Sequence, residues 1–210
     1  MHVETWVFDL DNTLYEPCAG LFAQIDARMT GFIMRELGLA REVADRLRRD
    51  YWRRHGTTLR GLMAHHGTDP GRFLAEVHDI DLSALGPGPA LAAALARLPG
   101  RKVIHTNGAR VHAERVLAAR GLAAQFDAIY AIEDKNYVPK PQRAAYDAIL
   151  RRSGLDPARA AMIEDDARNL EVPKVLGMAT VWLCHGRPGP APAWVDHRAP
   201  ALTGFLAGLA

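Results

Sequence analysis

Four short polar clusters in this 210-residue sequence hold side chains whose types and spacing suit catalysis. They are Asp9-x-Asp11-x-Thr13, Thr106-Asn107-Gly108, Lys140 after Val138-Pro139, and Glu164-Asp165-Asp166. Each alone has an ordinary reading, because Asp and Asn cap helices, Gly turns chains and a lone Lys is usually solvated. Together they could process a phosphate ester. An Asp carboxyl has an unperturbed pKa of about 3.9, so Asp9 is expected to be ionised at neutral pH and available as a nucleophile. A dianionic phosphate would repel it. Converging Asp9, Glu164 and Asp165 on such a group requires a cation, and hard oxygen ligands select Mg²⁺ over softer metals. The bound ion would neutralise the acids and polarise phosphorus. Lys140 would add a second positive charge, while Thr106 and Asn107 offer hydrogen-bond donors to phosphoryl oxygens. Asp11 could protonate the leaving alcohol and later take a proton from water, a role for which its neighbours must raise its pKa.

These clusters sit where strands are expected to end. Thr5-Trp6-Val7-Phe8 is a short apolar, aromatic and β-branched run that stops at Asp9, and similar runs cover 102–105, 128–131, 161–163 and 180–183. Helix-like segments separate the last four, which predicts a mostly parallel sheet covered on both faces. In such sheets functional groups gather beyond the carboxyl ends of the strands. From Glu16 to Leu85 the pattern is instead helical. Leu21, Ile25, Met29 and Ile33 recur at four-residue spacing, Val43 to Leu62 forms a second helical region, and Arg72 to His78 a third. This stretch is too long for a loop and predicts a small inserted helical domain, 16–85, with the α/β body formed by 1–15 and 86–210. Gly121, Gly154 and Asp156-Pro157 punctuate the later elements.

The segments Phe8-Asp9-Leu10-Asp11-Asn12-Thr13-Leu14, Thr106-Asn107, Lys140-Pro141 and Ile163-Glu164-Asp165 resemble the four ordered motifs of the haloacid dehalogenase superfamily, which consists largely of phosphatases. The resemblance spans the α/β body. It implies a Rossmann-like parallel core with a small α-helical cap inserted after the first motif, in agreement with the spacing. It also implies that Asp9 forms an aspartyl-phosphate, Asp11 acts as acid and base, and Thr106, Asn107 and Lys140 hold the phosphate. Mg²⁺ would be ligated by Asp9, the Asp11 backbone carbonyl and Asp165, with Glu164 as an additional partner, either direct or through water. The true dehalogenases of the superfamily lack an acid at the position of Asp11, so carbon–halogen cleavage is disfavoured. A phosphatase and a phosphoglucomutase-like phosphotransferase both reuse such an acid.

Phe8 to Tyr15, the segment Tyr51 to Leu62, Thr106-Asn107-Gly108 and Asn169 are similar to the pyrimidine 5′-nucleotidase branch. That resemblance implies a nucleoside monophosphate substrate, against phosphoglycolate or sugar phosphates as alternatives. Aromatic and guanidinium planes in the cap could stack on a base. Tyr51, Trp52 and Leu62 also read as simple cap core, Arg60 as a surface residue, and Met29, Met34 and Met63 as core filler. Adjacent His65 and His66 point in different directions on a helix and receive no metal role. The cap is expected to close over the phosphate, with hinges near Tyr15-Glu16-Pro17 and Gly86-Pro87-Gly88.

Composition narrows the partners. Twenty-six Lys and Arg against 24 Asp and Glu give a formal charge of +2, so no global field favours a nucleic acid polymer or a membrane surface. The basic run Arg46, Arg48, Arg49, Arg53, Arg54 is interrupted by Asp45 and Asp50 and reads as a solvated helix face rather than a contact surface for nucleic acid. No apolar run approaches the ~20 residues that span a bilayer, and Met1-His2-Val3-Glu4 lacks a leader pattern. With Cys18 and Cys184 read as reduced thiols, the expected address is the cytoplasm.

Overall fold

The computed structural model describes residues 3–209. Met1 and His2, which enter the leader reading and the first body segment, and Ala210 lie outside the described residues. Six strands, β1 (Thr5–Phe8), β2 (Arg101–His105), β3 (Ala128–Tyr130), β4 (Ala160–Glu164), β5 (Ala179–Leu183) and β6 (His197–Ala199), form one sheet. Their order is β3-β2-β1-β4-β5-β6, and each neighbouring pair is parallel. Strands β1, β4 and β5 are buried at every residue, which explains why they read as unbroken apolar runs rather than alternating ones.

After β1 the chain forms four helices before it returns to the body: α1 (Leu21–Leu37), α2 (Arg41–His55), α3 (Thr58–His66) and α4 (Pro70–Val77). They share an apolar core that includes Phe32, Ile33, Tyr51, Leu62 and Phe73, and it continues onto Ala109 and Ile132 of the body. That continuity seats the helical layer over the sheet's carboxyl edge. The single helical region expected over 43–62 is broken into α2 and α3. Gly56 ends α2 at φ +85°, and the Thr57 hydroxyl caps α3 by accepting from the Arg60 amide at 3.1 Å. At the start of α4, Asp69 accepts from the Arg72 amide and Pro70 occupies the first turn, where no amide is needed.

The body supplies α5 (Pro89–Arg97), α6 (Arg110–Arg120), α7 (Arg143–Ser153), α8 (Glu171–Val175) and α9 (Leu202–Ala207). One face of the sheet buries Phe8, Ile104, Ile163 and Val181 with Leu95 and Val116; the other buries Val7, Val103 and Met162 with Ile149. Helices therefore cover both sides. Strand β6 was not expected, because His197 and Arg198 are exposed and leave no apolar run to read; its pairing to β5 makes it a strand. The basic run is laced by acids as expected: Arg48 reaches Asp26 at 2.6 Å and also holds Asp45, Arg49 pairs with Asp45, and Arg54 with Asp50.

Candidate active site

The sheet turns back on itself at β1, which pairs with β2 on one side and β4 on the other. A crevice opens beyond carboxyl ends at such a switch point, because the connections leave in opposite directions. Asp9 follows β1, Thr106 follows β2, and Glu164 ends β4. The expected clusters thus meet at the three central strand ends.

Lys140 binds them together. Its ammonium is almost fully buried and donates to Asp9 Oδ1 at 2.6 Å, Glu164 Oε1 at 2.7 Å and the His105 carbonyl at 2.8 Å. Those three bonds use every donor the group has. Burial disfavours its charge, but the two carboxylates outweigh that and push its pKa above the usual lysine value.

Asp9, Glu164 and Asp165 can each place a carboxylate oxygen within 4.8 Å of the others. One ammonium against three acids leaves the cluster short of positive charge. Burial, and then repulsion from Glu164, raises Asp9 to about 7; burial, Glu164 and Asp9 raise Asp165 to about 8. Carboxyls held this close without a cation keep protons that they would surrender to one. Three hard oxygen donors of this kind fit a divalent metal ion. They are not equivalent, however. Glu164 accepts from Lys140, from Asn169 Nδ2 at 2.6 Å and from the Asp166 amide at 2.8 Å. Among the described residues the Asp165 carboxylate has only long contacts, to Asn12 Nδ2 at 3.5 Å and Arg187 at 3.7 Å, so its oxygens are the more available.

Around this centre the motif residues hold one another. The Thr13 hydroxyl donates to Asp9 Oδ2 at 3.2 Å, and Thr106 Oγ1 accepts from the Gly108 amide at 2.8 Å. Asn107 clamps the Lys140 backbone, donating to its carbonyl at 3.1 Å and accepting from its amide at 2.8 Å; one amide hydrogen of Asn107 remains for a ligand. Lys135, which no motif flagged, is buried beneath this loop and donates to the Thr106 carbonyl at 2.7 Å; burial and Lys140 hold its pKa well below the usual lysine value.

Asp11 departs from expectation. Its Oδ1 accepts from the Tyr15 hydroxyl at 2.7 Å and from His112 Nε2 at 2.8 Å. Burial acts to raise the Asp11 pKa, but His112, Tyr15 and His78 outweigh it and hold the carboxyl below its ordinary value, whereas the acid role calls for a raised one. His112, on α6, and His78, just past α4, carry no motif, so sequence reasoning missed both.

A cavity of about 310 Å³ extends from Asp9 and Asp11 up into the helical layer, where Phe22, Ile25, Met29, Leu59, Phe73 and Val77 line it. Lys140 is its single lysine or arginine among the described residues. Trp52 departs from its reading as simple cap core, whereas Met29 packs on two apolar clusters as core filler and also faces the cavity. Trp52 is 44% exposed at the cavity rim, with the Arg168 guanidinium 4.2 Å over its ring. The Met34 and Met63 readings hold, both packing on the cap core.

A family model described as haloacid dehalogenase-like hydrolase matches residues 3–177. The chain belongs to the haloacid dehalogenase-like hydrolases. This hydrolase is 27% identical over 194 residues to Phosphate metabolism protein 8 of Saccharomyces cerevisiae, a match covering 85% of this chain but only 60% of that protein's length. Among solved structures, a HAD phosphatase from Thermococcus onnurineus superposes with a TM-score of 0.65 at 19% identity, covering 99% of this chain and 98% of the other. A 2-haloacid dehalogenase from Pseudomonas syringae gives 0.62 at 22%, covering 99% and 100%. At such identities both structures speak for the hydrolase's fold and not for its reaction. No helix among its described residues is long and apolar enough to cross a membrane.

Proposed function

We propose that this hydrolase is a Mg²⁺-dependent phosphomonoesterase that works through an aspartyl-phosphate on Asp9, with pyrimidine nucleoside 5′-monophosphates as its substrates. The observation that carries the reading is the placement of Asp9 and Asp11 on one cavity wall beside a metal-suited acid cluster and a fully engaged lysine. Names among its relatives, phosphate metabolism in yeast and a HAD phosphatase, agree with it. Asp11 argues against the dehalogenase chemistry of other relatives, since halide needs no proton to leave and an alkoxide does.

Asp9 attacks phosphorus, and its negative charge passes to the leaving oxygen as the ester P–O bond breaks. Asp11 supplies that oxygen with a proton. The arriving phosphate dianion lifts the proton affinity of Asp11, offsetting the pull of His112 and Tyr15 in the empty cavity. Water then attacks phosphorus, giving a proton to Asp11 and releasing inorganic phosphate and free Asp9. Thr106 and Asn107 hold the phosphoryl oxygens through both steps, while Lys140, expected from the sequence to bind phosphate, has its three donors engaged and instead fixes Asp9 and Glu164. Asp9, Asp165 and the Asp11 carbonyl would hold Mg²⁺, with Glu164 acting through water because its own oxygens are already engaged. When bound there, such an ion would neutralise the acids and polarise phosphorus.

The cavity supports a flat, largely apolar leaving group. The helical layer contributes no lysine or arginine to the lining, and the Thr58 hydroxyl is bonded to the Arg48 carbonyl. In that apolar part a carboxylate or second phosphate, as in phosphoglycolate, would lie without a counter-charge, whereas Arg53, Arg54 and Arg168 line a smaller cavity that shares Trp52 and Gly56 with it. A nucleobase can instead lie against aromatic and aliphatic walls. Residues 16–85 serve as the cap over the body formed by 1–15 and 86–210. The free thiols Cys18 and Cys184 suit a cytoplasmic address. Phosphate release from nucleoside monophosphates, phosphoglycolate and hexose phosphates, each with Mg²⁺ and with chelator, tests the reading. Mg²⁺-dependent preference for UMP or CMP supports it; preference for phosphoglycolate or a hexose phosphate removes the nucleotidase assignment.

A further inference from the structure

Asp11 is held by one oxygen only. Both of its short bonds, from Tyr15 and from His112, end on Oδ1. Its other oxygen lies beside the loop of the second motif, where a methyl group added to Gly108 would sit 3.4 Å from Oδ2 and 3.2 Å from Thr106 Oγ1. Two donors on one oxygen fix the carboxyl plane and leave the second oxygen free toward the phosphate position.

His112 has few other reasons to be where it is. It is 1% exposed, and its Nδ1 has no hydrogen-bond partner among the described residues. A buried imidazole with an orphaned nitrogen costs stability relative to an apolar residue of similar size. The compensating bond is the one to Asp11, which keeps the proton on Nε2. The other face of the ring is covered from the cap side: His78, just past α4, stacks on it with centroids 4.5 Å apart and planes 22° from parallel. Arg115, one turn along α6 from His112, donates to the carbonyls of His78 at 2.7 Å and Ile80 at 2.8 Å. Helix α6 therefore grips the end of the cap with one residue and Asp11 with another.

We propose that His112 is a positioning residue: with Tyr15 it pins Asp11 Oδ1, leaves Oδ2 as the oxygen that passes the proton, and is itself set by His78 when the cap is seated. This rests on the acid/base reading of Asp11.

The test compares two leaving groups. A nucleoside monophosphate expels an alkoxide that needs a proton, while p-nitrophenyl phosphate expels a phenolate that leaves without one. Since kcat/KM also carries the cap's contacts with the nucleoside, the two substrates are compared by the single-turnover rate of leaving-group release at saturating concentration, and the ratio of those rates reads proton delivery. In His112→Leu the nucleotide-to-aryl ratio is expected to fall by about tenfold or more, within the range that general acid catalysis supplies. His112→Gln, which keeps a donor near the Nε2 position, should recover most of it. Tyr15→Phe should shift the ratio in the same direction, and it carries the test if His112→Leu does not fold. Equal loss on both substrates in His112→Leu, or in Tyr15→Phe where that variant stands in, would mean a merely structural role and overturn the proposal. Asp11→Asn separates the two levels. If its ratio does not fall, the acid/base reading fails; if it falls while those of His112→Leu and Tyr15→Phe do not, the positioning role alone fails.

Discussion

Lys140 spends all three of its donors inside the protein, so its loss would strand Asp9 and Glu164 as buried, unpaired acids. Breaking a buried pair of this kind typically costs about 3–5 kcal/mol, and we expect Lys140→Met to lose stability on that scale in urea unfolding. Added Mg²⁺ should return more of the loss to the variant than it adds to the wild type, because the ion takes over the missing charge. A second titration is independent of the acid cluster. Burial, followed by the neighbouring His112, lowers the His78 pKa from 6.5 to about 4. A proton is then bound more tightly by the unfolded chain than by the folded one. Stability should be full above pH 6.5, fall as pH drops toward 4, and level off below it, by about 3 kcal/mol at most. Comparing urea unfolding of wild type and His78→Gln at pH 7 and pH 5 checks the sign: the wild type should lose more on acidification. At this scale the motif residues were legible because sequence neighbours share one strand end. His112, His78 and Lys135 were not, since each is a single residue brought in by a different element. The expected rise in Asp11's pKa failed for the same reason, as its donor His112 lies 101 residues away.

Helices α2 and α3 meet so closely that only glycine fits at position 61: an added Cβ would lie 2.3 Å from Tyr51 Cγ. Gly61→Ala should therefore force the two helices apart and cost about 1–3 kcal/mol, seen as a lowered unfolding midpoint. Tyr51 is also bonded to His66 at 2.7 Å, so the shift would reach the end of α3. Gly56 belongs to the same joint, where a methyl group would come within 3.0 Å of Pro139 Cγ beside Lys140. Most elements could be read from the chain because their apolar spacing is set by burial: the four-residue stripe of α1 and the unbroken runs of β1, β4 and β5 are examples. The break between α2 and α3 escaped because arginines and apolar residues continue across it at helical spacing, and only the Gly56-Thr57 pair marks the stop. Strand β6 escaped because an edge strand of three residues with two exposed side chains has no periodicity to show.

As a whole, the molecule carries its fold on hydrophobic patterning and its chemistry on one crowded point of charge. Net charge is only +2, yet three acids share one lysine at the sheet's switch point. Ligand binding to the folded state alone stabilises by about 2.7 kcal/mol at a hundredfold excess over Kd, so saturating Mg²⁺ should raise the melting temperature by several degrees. Asp165→Asn should abolish most of that shift in a thermal scan with and without chelator. The parallel sheet and the helical layer were legible because strands and helices have different periods. The apolar cavity between them was not, since Phe22, Met29 and Phe73 read as ordinary core until the layers are stacked. Phosphorylation of Asp9 is read by acid quenching during turnover of a nucleoside monophosphate, followed by mass spectrometry of the Asp9 peptide. A phosphoryl group on Asp9 is expected with Mg²⁺ and none with chelator or in Asp9→Asn. Steady turnover with the phosphoryl group on another residue, or undiminished turnover in Asp9→Asn, would contradict it.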